Sequence, residues 1–180
     1  MERQTYSNPA LLIIDMQVGL FHGGRIIHAA EQLLTNVNVV LAKAHAAGVP
    51  VFAVRHTGPA GSPIEAGSAN WQLMPELDID LERDTIFEKT RPSCFAGTDL
   101  LQQLRAKGIQ ELLITGLKTQ YCIDCNCRVA SELGFKVILV EDAHSCNDTE
   151  LLSARTIIAH HNMTLSGLFA SLVKTEDLRF

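Results

Sequence analysis

Cys122 is the residue best placed to act as a nucleophile. An apolar run at Leu112–Thr115 leads through a Thr-Gly turn to L-K-T-Q-Y-C, and a helical pattern follows over Cys122–Leu133. A thiol at the mouth of a helix, just past the carboxyl end of a strand, can have a lowered pKa, because the positive end of the helix favours the thiolate. Two further polar residues are expected at the same kind of place, Asp15 after Leu11–Ile14 and Lys89 after Thr85–Phe87. A carboxylate partly desolvated at a strand end is suited to take a proton. An ammonium near the thiol would favour its anion, and two pKa units of thiol depression need only roughly 2.7 kcal/mol. Each residue also has a plain structural reading: a turn acid or helix cap for Asp15, a solvated lysine for Lys89, a core thiol for Cys122.

Composition narrows the class of protein. The chain has 180 residues, is 47% hydrophobic and carries a formal charge of -5, which suits one domain, residues 1–180, with a sizeable core. The negative balance and the lack of a basic cluster argue against nucleic acid. Met1–Pro9 has no apolar run of the signal-peptide kind, and no stretch approaches the roughly 18 apolar residues that span a bilayer. Five cysteines, at 94, 122, 125, 127 and 146, make an odd count that fits free thiols in a reducing cytoplasm better than a disulfide framework. Cys122-x-x-Cys125 invites a redox reading, and Cys125 and Cys127 a metal. The seven histidines do not fall at matching spacings, so structural thiols are expected and no metal or cofactor.

Strand and helix patterns alternate along the chain. Strands are expected at Ala10–Ile14, Val49–Arg55, Thr85–Phe87, Leu112–Thr115 and Lys136–Val140, with a short edge strand at Met163–Leu165. Helices are expected at Glu31–Ala47, Thr98–Lys107, Cys122–Leu133 and Thr149–His160. Thr57–Leu77 is rich in Gly, Pro and Ser and reads as a long loop with at most a short helix, a candidate lid or interface. The alternation predicts a parallel sheet covered on both faces, an α/β fold whose reactive groups collect at the carboxyl edge.

Together the segments resemble the isochorismatase-like cysteine hydrolase superfamily, the nicotinamidase-related amidohydrolases. The likeness runs from about Ala10 to Leu165. It rests on L-L-I-I-D-M-Q at Leu11–Gln17, K-T-R-P-S-C-F-A-G-T-D-L at Lys89–Leu100, T-G-L-K-T-Q-Y-C-I-D at Thr115–Asp124 and V-E-D-A at Val140–Ala143, in that order. Asp15, Lys89 and Cys122 match the superfamily's catalytic Asp-Lys-Cys positions. The resemblance implies a three-layer αβα sandwich with a six-stranded, mostly parallel sheet in the order 3-2-1-4-5-6. It also implies a non-proline cis peptide, here Leu117–Lys118, aiming the Lys118 N–H beside that of Cys122 as an oxyanion hole. Homo-oligomers, dimers or tetramers, are expected on the same ground.

The chain departs from its relatives after the second strand. The superfamily's nicotinamidases carry Asp-x-His and a further His there and bind a metal, whereas this chain reads V-R-H-T-G-P-A-G-S-P. His56 has no partner in that loop and is expected to be structural or to line the pocket. Cys94 and Asn126 replace the residues common at their positions and read as packing variants, with Cys94 also a candidate to border the pocket. Cys122 itself disfavours vinyl-ether cleavage of isochorismate, since the siderophore-type isochorismatases lack that cysteine.

The activity implied is hydrolysis of a C–N bond, amide or carbamoyl, in a small molecule through a Cys122 thioester. Gln17, Phe21, Trp71, Leu117 and Tyr121 are the candidates for substrate contact, the four apolar ones equally able to be core. The competing reading is a non-catalytic ligand binder or a thiol-redox protein on the same fold.

Overall fold

Leu11–Ile14 has no polar residue to turn toward water, so a strand built from it must be covered on both faces. The computed structural model, which describes residues 6–180, places it in the middle of a sheet. The part of the Met1–Pro9 reading that concerns residues 1–5 lies outside the described residues. Strand β1 (Pro9–Ile14) pairs in parallel with β2 (Val51–His56) on one side and β4 (Glu111–Leu117) on the other. β3 (Thr85–Lys89) extends the sheet beyond β2. β5 (Lys136–Ser145) and β6 (Ser171–Val173) extend it beyond β4. The order is β3-β2-β1-β4-β5-β6, parallel throughout.

Side chains alternate across a strand, and β1 divides the core accordingly. Leu11 and Ile13 pack with Leu33, Val37, Val40, Leu41 and Ala44 of helix α2 (Ala30–Ala46). Ala10, Leu12 and Ile14 pack on the other face with Leu100 and Leu104 of α3 (Leu100–Ala106) and Cys127 and Ala130 of α4 (Asp124–Glu132). Among the described residues no helix is long and apolar enough to cross a membrane.

The structure revises several boundaries. A four-residue helix, α1 (Val18–Phe21), follows β1 where none was expected. The expected helix at Cys122–Leu133 opens as a wide, π-type turn over Thr119–Ile123, and α4 begins at Asp124. The last helix, α5, spans Ala154–Leu165 rather than Thr149–His160. Thr149 spends its hydroxyl in a local turn, accepting from Leu152 N at 3.0 Å, and the working cap is Ser153, which accepts from Thr156 N at 3.2 Å. Met163–Leu165 therefore ends a helix and is not a strand; the edge strand is β6. A three-residue apolar run carries too little periodicity to separate the two. The 57–77 segment holds one 3₁₀ turn at Ala69–Trp71, and Met74 and Leu77 are buried in the α2-side core.

Close approach at the carboxyl edge explains one glycine. Gly116 has φ of +114°, and a Cβ there would stand 2.1 Å from the Ile14 carbonyl oxygen. Gly116→Ala is expected to destabilise the protein by more than about 2 kcal/mol. Urea denaturation checks this; a variant as stable as the parent would mean that β1 and β4 can separate at no cost.

Candidate active site

Four adjacent strands each bring one reactive side chain to the carboxyl edge of the sheet. Asp15 is the first residue past β1. Its φ of +54° lies in the left-handed region, which aspartate tolerates better than most residues. His56 and Lys89 end β2 and β3 and are register partners across them. Cys122 lies in the wide turn that follows β4.

Lys89 is the centre of the cluster. Its Nζ donates to Asp15 Oδ2 at 2.8 Å and to Cys122 Sγ at 3.2 Å, and lies 3.1 Å from His56 Nδ1. An ammonium has three hydrogens to donate and no acceptor, so three partners use it completely. His56 Nδ1 must then accept, which leaves the imidazole proton on Nε2. The Lys89 side chain is wholly buried and that of Asp15 2% exposed. A lysine buried to this degree keeps its charge only where it is paired.

The charges follow from these contacts. Burial raises the pKa of Asp15, with Lys89 opposing it. Burial also works against the Lys89 charge, but Asp15 and Cys122 outweigh it and its pKa is raised. His56 is pushed below its ordinary value by burial and by the Lys89 charge, and stays neutral. The Cys122 thiol corrects the sequence reading. Burial, then the Asp15 carboxylate, push it up to about 12 against the pull of Lys89. The expected lowering from a helix start is not realised, because Cys122 sits inside the wide turn, ahead of the start of α4 at Asp124, and faces an anion in a buried setting. At rest the cluster is carboxylate, ammonium, neutral imidazole and thiol. Asp15 Oδ1 is buried and takes no hydrogen bond, and a carboxylate oxygen of Asp15 lies within 4.8 Å of the sulfur.

The remaining site expectations fare unequally. Gln17 is fully buried, and its amide is spent on backbone: Nε2 donates to His56 O at 3.0 Å and Trp71 O at 2.8 Å, and Oε1 accepts from His56 N at 2.7 Å. These three bonds brace the backbone of His56 and Trp71. Trp71 is buried, with Arg55 stacked 3.6 Å from its ring centroid and its Nε1 donating to Thr57 Oγ1 at 2.9 Å. Phe21 and Leu117 belong to the α2-side core, whereas Tyr121 is 59% exposed. These side chains do not form one apolar wall. The Leu117–Lys118 peptide is cis, and Lys118 Nζ donates to Asn147 Oδ1 at 2.8 Å.

Asn126 does more than fill space. Its Oδ1 accepts from Cys94 N at 2.7 Å, while Nδ2 donates to Pro92 O at 3.0 Å and Cys122 O at 2.7 Å. One buried amide thus ties the segment after Lys89 to the nucleophile turn. Cys94 is fully buried near Lys89, and burial holds its thiol well above the ordinary value. His56 was undervalued by sequence for a definite reason. Its partners Asp15 and Cys122 come from other strands, and only the strand order makes them neighbours. The nicotinamidase-type metal set does not fit this chain, since the position two before His56 is Val54, buried in the apolar core, and His56 Nδ1 is turned to Lys89.

A six-stranded parallel sheet in this order, with its polar cluster at the carboxyl edge, defines an open, doubly wound α/β protein. Within that class the chain belongs to the isochorismatase family: the model of the isochorismatase domain matches residues 9–175. It is 29% identical to nicotinamidase 3 of Arabidopsis thaliana over 94% of this chain and 86% of that protein. It is 32% identical to a streptothricin hydrolase of Streptomyces noursei over 77% of this chain, which spans half of that protein's length. A crystal structure of a putative isochorismatase from Burkholderia xenovorans superposes with a TM-score of 0.88 at 32% identity, covering 96% of this chain and 86% of that one.

Proposed function

We propose that this chain hydrolyses a C–N bond, amide or carbamoyl, in a small molecule, with Asp15 as proton carrier, Lys89 as fixed cation and Cys122 as nucleophile. The observation that carries the reading is the single buried ammonium bonded at once to Asp15 and Cys122. The amidase and hydrolase among the relatives support the reaction class.

A thiol with a pKa of about 12 is ionised in roughly one molecule in 10⁵ at pH 7. Attack by a standing thiolate is therefore a minor route. The thiol proton instead passes to Asp15 Oδ1 as sulfur bonds to the carbonyl carbon, and Lys89 holds the charge that develops on sulfur. The tetrahedral oxyanion is assigned to the N–H groups of Lys118 and Cys122. Asp15 returns the proton to the leaving nitrogen. It then takes one from the water that splits the thioester, and Cys122 regains its proton at the end.

An ammonia-release screen over small amides, ureas and carbamates tests the proposal, with Cys122→Ala as the blank. For the substrate found, the acid limb of kcat/KM should fall above the ordinary carboxylate range, because Asp15 must be ionised to accept a proton and its pKa is raised by burial. Rate rises with pH through that limb; a limb at or below the usual aspartate value would remove Asp15 from the role.

A further inference from the structure

Asp15, His56 and Cys122 present an oxygen, a nitrogen and a sulfur within 4.8 Å of one another. Three mixed protein ligands of this kind are the donor set of a catalytic-type zinc site. The centre of the set is filled by the protein itself, since the Lys89 ammonium lies 2.8, 3.1 and 3.2 Å from the three donors. We propose that Asp15, His56 and Cys122 form a cation site whose resident cation is Lys89, and that a thiophilic divalent ion such as Zn²⁺ competes with the lysine for it. The inference stands on this juxtaposition and does not require the hydrolase reading.

Charge and geometry both support it. Carboxylate and ammonium leave the resting cluster neutral. A divalent ion held by carboxylate, thiolate and neutral imidazole is neutral as well. Exchange on the intact chain forms Zn–O, Zn–N and Zn–S bonds and breaks the three hydrogen bonds of Lys89. It releases two protons to water, from the thiol and the ammonium, with no change of oxidation state. The neighbouring thiols Cys94 and Cys125 are both pushed up by burial against the pull of Lys89 and stay protonated. Each donor must close in by roughly 1 Å to reach zinc bonding distance, and the lysine is the spacer that prevents this. Its presence keeps the thiol free of metal.

The test uses Co²⁺ alone as a spectroscopic probe on the full chain. Lys89→Met should bind one equivalent, with a thiolate-to-cobalt charge-transfer band and intense tetrahedral visible bands. Binding should exceed that of the parent by about 100-fold, the scale set by losing a buried ion pair. In that background Cys122→Ser should abolish the charge-transfer band, and His56→Ala should weaken binding by about 10-fold or more. A folded Lys89→Met chain that binds no cobalt, or binds it without the band or no tighter than the parent, overturns the proposal. Should Lys89→Met fail to fold, the parent chain decides. Millimolar Zn²⁺ should slow iodoacetamide modification of Cys122, read by peptide mass spectrometry, and a chelator should restore it. Unchanged modification overturns the site.

Discussion

Cys122→Ala should reduce turnover of a substrate found by the ammonia screen to the level of the blank, a loss of roughly 10⁴-fold or more if sulfur forms the covalent intermediate. The fold should survive. Cys122 is small and 8% exposed, so the cavity left is minor and the stability change about 1 kcal/mol. Thermal melting therefore separates lost chemistry from lost structure. Cys122→Ser sharpens the result. It keeps the shape and a proton for Asp15, but an alkoxide is harder to reach and a hydroxyl is the weaker nucleophile, so activity should stay near the blank. Cys125→Ala should leave turnover unchanged, which a Cys122–Cys125 redox couple would not. A Cys122→Ala chain that still releases ammonia at the parent rate would sink the thioester scheme. One that binds substrate but never turned it over in parent form would favour the ligand-binder reading.

What could be read from the sequence is what local pattern controls. β1 is apolar at every inner position, so a doubly covered central strand follows directly. The helical stripe of α2 and the Gly48 beyond it place that helix within a residue. Asp15, Lys89 and Cys122 were found because each follows an apolar run, and parallel strands bring such ends to one edge. Properties set by the assembled cluster stayed out of reach. The thiol pKa depends on burial and on a carboxylate 107 positions away in the chain, so a local helix-start argument gave the wrong direction. Gln17 belongs to a recognisable motif, but its bonds to the His56 and Trp71 backbone depend on strand order and could not be read from it. His56 and Asn126 gain their roles only from partners on other elements. The α5 boundary slipped because Thr149 and Ser153 are both plausible caps and only packing selects one.

Lys89→Met should cost more stability than a substitution at Cys122, and its cost should depend on pH. The methionine fills much of the same volume but removes the partner of a buried carboxylate. Breaking a buried pair in this way costs about 3–5 kcal/mol, and Asp15 Oδ2 loses its 2.8 Å donor. His56 Nδ1 and Cys122 Sγ lose theirs as well. Lys89 is among the influences holding the Asp15 pKa down against burial, so in the variant the carboxyl rises further. The sign then follows from linkage. A folded-state carboxyl raised above its unfolded value binds a proton that the unfolded chain has released, so stability falls as pH rises through that interval. The deficit relative to the parent should be largest at neutral pH and shrink as acid protonates Asp15 in both chains. Paired urea titrations across the carboxylate range check this, and a deficit that does not vary with pH would show that Lys89 acts by packing alone. Lys89→Arg makes the complementary point: it restores a cation but not a compact three-donor head, so it should recover stability at neutral pH better than turnover.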